Sequence, residues 1–136
     1  MSVPTIASNS PDANTAVGQA INSLAGSASP TVYTGATDAI LFPNQSNLAV
    51  LTPASGVDAA TLATPTTADN GKLLRILNGA AQASTVTTAS GKILDGSSTA
   101  KNTVTFAAHI GATIELVAYN GFWNLIAASN ATLSAV

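Results

Sequence analysis

The chain has no cysteine, few charged side chains and few aromatic rings, and each shortage excludes a class of protein. Without cysteine, neither a disulfide framework nor a thiolate-bound metal can stabilise the fold. Charged residues make up 7 % of the chain, against about a quarter in typical soluble domains. The four Lys and Arg side chains cannot form a basic stripe that neutralises phosphates. We therefore expect no direct nucleic-acid partner.

Hydrophobic character is plentiful but is dispersed along the chain. Apolar residues reach 46 %, yet no run approaches the roughly 18 consecutive apolar residues of a membrane helix, so we expect no membrane contact. The opening residues, MSVPTIASNSPD, lack the basic and apolar regions of a secretory signal, which predicts synthesis in a cytoplasm. A net charge of -2 gives little repulsion between copies, which favours a permanent oligomer over a freely diffusing monomer.

The clearest structural signal is a β-hairpin centred on Asn120-Gly121. This dipeptide readily adopts the positive φ angles of a type I′ turn, and apolar-rich runs flank it. The hairpin predicts five cross-strand pairs, which are Tyr119 with Phe122, Ala118 with Trp123, Val117 with Asn124, Leu116 with Leu125, and Glu115 with Ile126. The run 102–107 precedes the hairpin and predicts a three-stranded meander.

Side-chain alternation divides the hairpin into two faces. The first is typical of a core and carries Ile114, Leu116, Ala118, Trp123, Leu125 and Ala127. The second is too apolar for a solvated surface and too polar for a second core, so we expect it to contact another chain or sheet. Its members Glu115, Tyr119 and Phe122 are candidate interface residues, although Tyr119 and Phe122 also fit a simple cross-strand pair.

The remaining chain, from residue 31 to 136, contains short strand candidates separated by turn signals. This spacing predicts an all-β domain, an antiparallel β-sandwich, jelly roll or barrel. Before it, Ser10 suits a helix N-cap and Pro11 the first helical position, which predicts a short N-terminal helix at 11–25. The apolar stripe of this helix is Ala13, Val17, Ala20, Ile21 and Leu24.

The N-terminal arm and helix, residues 1–26, have two interpretations. The helix either packs on its own sheet, or it contacts neighbouring subunits as a shell anchor or trimer contact. In the second interpretation Val17, Ile21 and Leu24 are candidate interface residues.

The sequence offers no constellation that carries chemistry. His109 is the only histidine, and the six carboxylates are scattered without metal-ligand spacing. Asp95 and Glu115 are one conceivable acid pair for glycoside hydrolysis, but Asp95-Gly96 is more simply a turn. We therefore expect no catalytic residue, no cofactor and no metal, and hence no enzyme.

Two segments together resemble small bacteriophage virion proteins. Residues 70–76, NGKLLRI, precede STVT at 84–87, and TVTF at 103–106 precedes LVAYNGFW at 116–123. These resemble the strand-and-turn segments of phage head decoration, or cement, proteins in the same order, over roughly residues 57–128. The chain departs from the pattern at Asn70, where Asp is usual, and at Ser84, where His is usual.

The resemblance implies a structural protein of the virion. It implies a homotrimer that binds the major capsid protein on the outside of the capsid and stabilises the phage head. The alternative is a head-fibre or tail-fibre module of the same virion that binds host surface carbohydrate.

Overall fold

The computed structural model describes residues 30–40 and 47–136. These residues form short β-strands and one turn of 3-10 helix at Thr67–Asp69, with no α-helix among them. The predicted all-β class is therefore confirmed for this part of the chain. The strands in chain order are β1 (Thr31–Tyr33), β2 (Ala39–Ile40), β3 (Leu48–Leu51), β4 (Asp58–Leu62), β5 (Leu73–Asn78), β6 (Ser84–Thr87), β7 (Ile93–Leu94), β8 (Thr103–Phe106), β9 (Thr113–Tyr119), β10 (Phe122–Ser129) and β11 (Ala131–Ser134).

The strands form two sheets. The first has the order β1-β3-β5-β9-β10-β7 and the second the order β11-β8-β6-β4-β2. From β1 to β6 the chain alternates between the sheets, and each strand from β3 onward pairs in parallel with the strand two before it. Two successive strands therefore make one coil, and three coils stack on one another. This winding is that of a β-solenoid.

The predicted antiparallel sandwich, jelly roll or barrel is wrong in its strand pairing. Of the nine strand pairs among the described residues, five are parallel. Of the three Asn-Gly dipeptides in the chain, only Asn120-Gly121 has positive φ at both residues, 52° and 77°. In Asn70-Gly71 the φ angles are -51° and 85°, a type II pattern. Asn78-Gly79 has no positive φ and leads from the first sheet towards the second.

The predicted meander is also wrong. Strand β8 pairs with β6 and β11 in the second sheet, whereas β9 pairs with β5 and β10 in the first. The connecting segment 107–112 therefore crosses between the sheets and does not form a hairpin. Backbone hydrogen bonds hold it, from His109 N to Ala107 O and from Ala112 N to His109 O.

The β9–β10 hairpin follows the prediction near its turn and departs from it further away. The pairs from Tyr119–Phe122 to Leu116–Leu125 are confirmed. Beyond them a β-bulge at Ile126 shifts the register, so Glu115 pairs with Ala127. One extra residue reverses the face of everything that follows it. Ala127 therefore lies on the outer face, and its predicted place in the core is wrong.

The core lies between the two sheets and contains side chains from both. Trp123 and Phe106 are its largest fully buried side chains. The Trp123 indole Nε1 donates a hydrogen bond to Ala63 O at 3.0 Å, which joins β10 to the end of β4 in the other sheet. The two sheets therefore share one hydrophobic interior. Apolar burial at about 25 cal/mol per Å² is the main stabilising contribution in such a core.

Candidate interaction surface

The outer face of the first sheet is the candidate functional site, because it presents apolar side chains to solvent. Along each strand, successive side chains point alternately into the core and out to the other face of the sheet. Register then aligns the outer side chains of β1, β3, β5, β9, β10 and β7 in rows across the sheet. Its apolar members are Val32, Leu48, Val50, Leu73, Leu77, Leu94, Val117, Tyr119 and Phe122.

Several of these side chains are exposed to an extent that needs an explanation. Tyr119 is 65 % exposed, Val32 54 % and Leu73 45 %. Ile126, at the bulge beside this face, is 51 % exposed. Contiguous apolar patches of this kind mark interaction sites more often than single exposed side chains do. This outer face is therefore a surface suited to burial against a partner.

The charges near the middle of the outer face neutralise each other. Arg75 on β5 and Glu115 on β9 are directly opposite in register. The guanidinium Nη2 donates to the Glu115 Oε2 at 3.2 Å, and the two side chains are 58 % and 29 % exposed. An exposed pair like this contributes about 0–1 kcal/mol to stability. Its larger consequence is that the face carries no net charge at its centre.

The hairpin end of the face carries the aromatic side chains. Tyr119 and Phe122 are directly opposite each other, as the cross-strand interpretation predicted. The Lys92 Nζ lies 4.6 Å from the centroid of the Phe122 ring, a cation–π distance. Phe122 is half-buried while Tyr119 is exposed. The tyrosine ring is thus the most accessible aromatic group on this surface.

A loop from the start of β5 fixes the hairpin end. Asn120 N donates to Asn70 Oδ1 at 2.6 Å, and Gly71 N donates to Ala118 O at 2.8 Å. Within this loop Asp69 Oδ2 accepts from Thr66 N at 2.8 Å. The Thr66 N–H, then Lys72 and the Thr66 hydroxyl, lower the pKa of Asp69 to about 2. The tip of the hairpin is therefore held by a hydrogen-bonded loop and presents its aromatic pair in a fixed geometry.

The outer face of the second sheet is different in character. Register aligns hydroxyl side chains of β4, β6, β8 and β11 with few apolar ones between them. Its members are Ala39, Ala59, Thr61, Thr85, Thr87, Thr103, Thr105, Thr132 and Ser134. Hydroxyl groups at its exposed positions, such as Thr61, Thr87 and Thr105, can hydrogen-bond to water, so this face can remain exposed. The contrast singles out the first sheet.

The structure places the candidate interface residues in two groups. Glu115, Tyr119 and Phe122 all lie on the outer face of the first sheet. Val17, Ile21 and Leu24, with the predicted helix and the whole 1–26 segment, lie outside the described residues. The alternation in residues 72–77 is enough to place Leu73 and Leu77 on one face of a strand, but no sequence signal shows that β5 is the neighbour of β9.

Neither a metal cluster nor a membrane helix is found in the described part of the chain. Residues 30–40 and 47–136 bring no three His, Asp or Glu side chains together in a metal-binding group. No helix within them has the length and apolar character needed to cross a bilayer. His109 is exposed in the connection between β8 and β9. Asp95 accepts hydrogen bonds from Ser97 N and Oγ, which fits the predicted turn.

Comparison with known proteins adds no relative. No protein-family model matches the chain, and no curated protein matches its sequence.

Proposed function

We propose that the protein is a structural component of a bacteriophage virion that decorates the capsid exterior. The observation that carries the proposal is the apolar outer face of the first sheet, with its internally neutralised charges. The resemblance of residues 57–128 to head decoration proteins supports it and supplies the partner, the major capsid protein. In this role the protein is a cement and has no catalytic activity.

The outer face of the first sheet is smaller than one side of a typical specific interface, so a second element must supply additional contact area. The six strands of the first sheet lie about 4.8 Å apart and average about five residues of about 3.3 Å, so together they cover roughly 500 Å². A specific interface buries about 800 Å² on each partner. The arm and helix expected at residues 1–26 are our candidate for the remainder, as shell anchor or trimer contact. Many such contacts repeated over a shell stabilise it through avidity.

The proposed assembly is a homotrimer with cyclic symmetry, which suits threefold positions of a capsid lattice. Light scattering after size exclusion measures this directly. A trimer has three times the chain mass of 13.4 kDa. A monomer at all concentrations, with no trimer on the shell either, would contradict this part of the proposal.

The central experiment adds purified protein to empty head shells assembled from the major capsid protein of the same phage. We expect saturable co-sedimentation, with density over the capsomer surface in electron microscopy. Leu73→Lys, on the outer face of the first sheet, should reduce binding by an order of magnitude or more. Thr105→Lys adds the same charge to the second sheet's outer face and should bind like the original protein. Equal binding by both variants would contradict the assigned surface.

The N-terminal segment has a test of its own. Removal of residues 1–25 should leave the β domain folded, as judged by circular dichroism, while shell binding is lost. Retained binding by the truncated protein would contradict the anchor role.

The fibre alternative is favoured by one observation, the exposed Tyr119 at the tip of the hairpin. A carbohydrate module uses such rings as stacking platforms for sugars. In that case oligosaccharides of the host surface should quench tyrosine fluorescence, and Tyr119→Ala should abolish the response. On the virion, a fibre module would lie at discrete fibres, whereas a cement protein would cover the shell.

A further inference from the structure

A buried carboxyl group at a corner of the solenoid has no hydrogen-bond partner in the part of the chain that the structure describes. Asp58, the first residue of β4, is 0 % exposed, and neither of its carboxyl oxygens has a hydrogen-bond partner among residues 30–40 and 47–136. It lies directly beside Ser84 of the next coil. An isolated ionised carboxylate in such a place costs several kcal/mol, so buried charges are normally paired or bind metals.

The next coil shows how this corner is satisfied when no carboxylate is present. There Ser84 takes the position of Asp58, and Asn78 takes that of Leu51. Ser84 Oγ donates to Asn78 Oδ1 at 3.3 Å. The Asn78 Nδ2 donates to three backbone carbonyls, those of Gln82, Ala107 and His109. Asp58 has only the apolar Leu51 in the place where Ser84 has Asn78.

A second carboxylate approaches Asp58 from the preceding coil. The pairing of Ala39 with Thr61 places Asp38 beside Ala60, on the core-facing side that Ile40 also occupies. Asp38 is therefore one diagonal step from Asp58, close enough for its charge to act on the Asp58 carboxyl group. Its Oδ2 accepts from Gly35 N at 2.8 Å, which holds it at this corner. Burial and the Asp38 charge both raise the pKa of Asp58.

We propose that Asp38 and Asp58 together hold a hard divalent cation of the calcium class. A bridging cation would pair the two orphaned oxygens of Asp58 and remove the repulsion between the carboxylates. The donors are all oxygen, which favours Ca²⁺ or Mg²⁺ over zinc or copper. Asp38 is only half-buried, so an ion reaches the site past its side chain, and carbonyl oxygens or water complete the coordination. This inference is independent of the proposed function.

The site predicts that calcium stabilises the protein. The full chain, freed of metal with a chelator and dialysed, is unfolded thermally with calcium chloride or with potassium chloride at matched ionic strength. At calcium about 100-fold above its dissociation constant, the midpoint should rise by about 5–10 °C. Isothermal titration calorimetry should give one ion per chain.

Three variants test whether the calcium response comes from Asp38 and Asp58. Asp58→Asn keeps the shape and removes the charge, so it should fold without calcium and lose both the midpoint shift and the calorimetric binding. Asp38→Asn, at a partly exposed position, should lose them too. Asp95→Asn removes the same charge from an exposed turn and should retain both.

Two results would overturn the site. No calcium response in the original protein would mean that Asp58 is simply protonated in the folded state. A response that survives in both corner variants would place the ion elsewhere.

Discussion

Replacement of Trp123 by alanine tests whether the two sheets share one core. The Trp123 side chain is fully buried, and its indole donates across the sheets to Ala63 O at 3.0 Å. Removal of a buried Trp ring costs about 3–5 kcal/mol through lost transfer energy and the cavity left behind. A domain of this size is stable by about 5–15 kcal/mol. The variant should therefore keep its fold with a much lower resistance to denaturant.

The assay is urea unfolding followed by far-ultraviolet circular dichroism, because the chain has a single Trp and its fluorescence is lost in the variant. Trp123→Phe separates packing from hydrogen bonding, since it keeps an aromatic ring and loses the N–H donor. It should cost about 1–2 kcal/mol, near the value of a buried hydrogen bond with a small volume change. Tyr119→Ala, at an exposed position of the partner strand β9, is the control and should cost under about 1 kcal/mol.

A loss below about 1 kcal/mol for Trp123→Ala would refute the reasoning, because such a value is typical of surface positions. An unchanged midpoint in Trp123→Phe combined with a large loss in Trp123→Ala would instead assign the whole effect to packing. The hydrogen bond between the sheets would then contribute nothing.

Three further predictions follow from individual contacts. A double-mutant cycle on Arg75→Ala and Glu115→Ala should give a coupling of about 0–1 kcal/mol that weakens in salt, and a coupling several times larger would mean the pair is not solvated. Gly79→Ala should cost about 1–3 kcal/mol by overpacking, because a Cβ there would lie 2.8 and 2.9 Å from side chains of the preceding coil; an unchanged denaturation midpoint would show that the coils can separate. The pKa of Asp69 is lowered from 3.8 to about 2, so its stabilising effect is complete above pH 3.8 and is lost as the pH falls towards 2. A nuclear magnetic resonance titration should give a pKa of about 2 for the Asp69 carboxyl group. A value near 4 would contradict its hydrogen bonds from Thr66 and Lys72.

Local signals predicted the local structure well. The hairpin at Asn120-Gly121 needs only two residues with positive φ and two flanking strands, all within about ten residues of sequence. Its first four cross-strand pairs followed directly. The bulge at Ile126 could not be predicted, because nothing in the local sequence distinguishes a bulged residue from a regular one.

The coil arrangement was beyond the reach of the sequence for a different physical reason. A strand with one buried face shows the same alternation of apolar and polar residues whether its neighbour is parallel or antiparallel. The Asn78-Gly79 dipeptide has the composition of a hairpin turn, yet close approach to the preceding coil, not positive φ, accounts for a glycine there. When two paired strands are separated by a whole coil, the residues between them carry no sequence signal of that pairing.

Prediction of the candidate sites required the same knowledge of pairings between distant strands. Glu115, Tyr119 and Phe122 were predicted from one hairpin, whereas the apolar face also needs Leu73 from β5 and Leu94 from β7. Those strands are neighbours of the hairpin only through pairings between distant segments. Likewise, the lack of a hydrogen-bond partner for Asp58 among the described residues results from the stacking of three coils at one corner. No sequence motif indicates it.

The two candidate sites lie on different sheets, which makes their roles separable by experiment. The corner carboxylates face the interior from β4 and the segment before β2, while the outer face of the first sheet points away from that interior. Changes at sites without shared partners usually have additive effects. A calcium response that is lost in Asp58→Asn should therefore persist in Leu73→Lys, and shell binding that is lost in Leu73→Lys should persist in Asp58→Asn. If one variant abolished both properties, the cation would be organising the outer face itself, and the corner would be part of the docking surface.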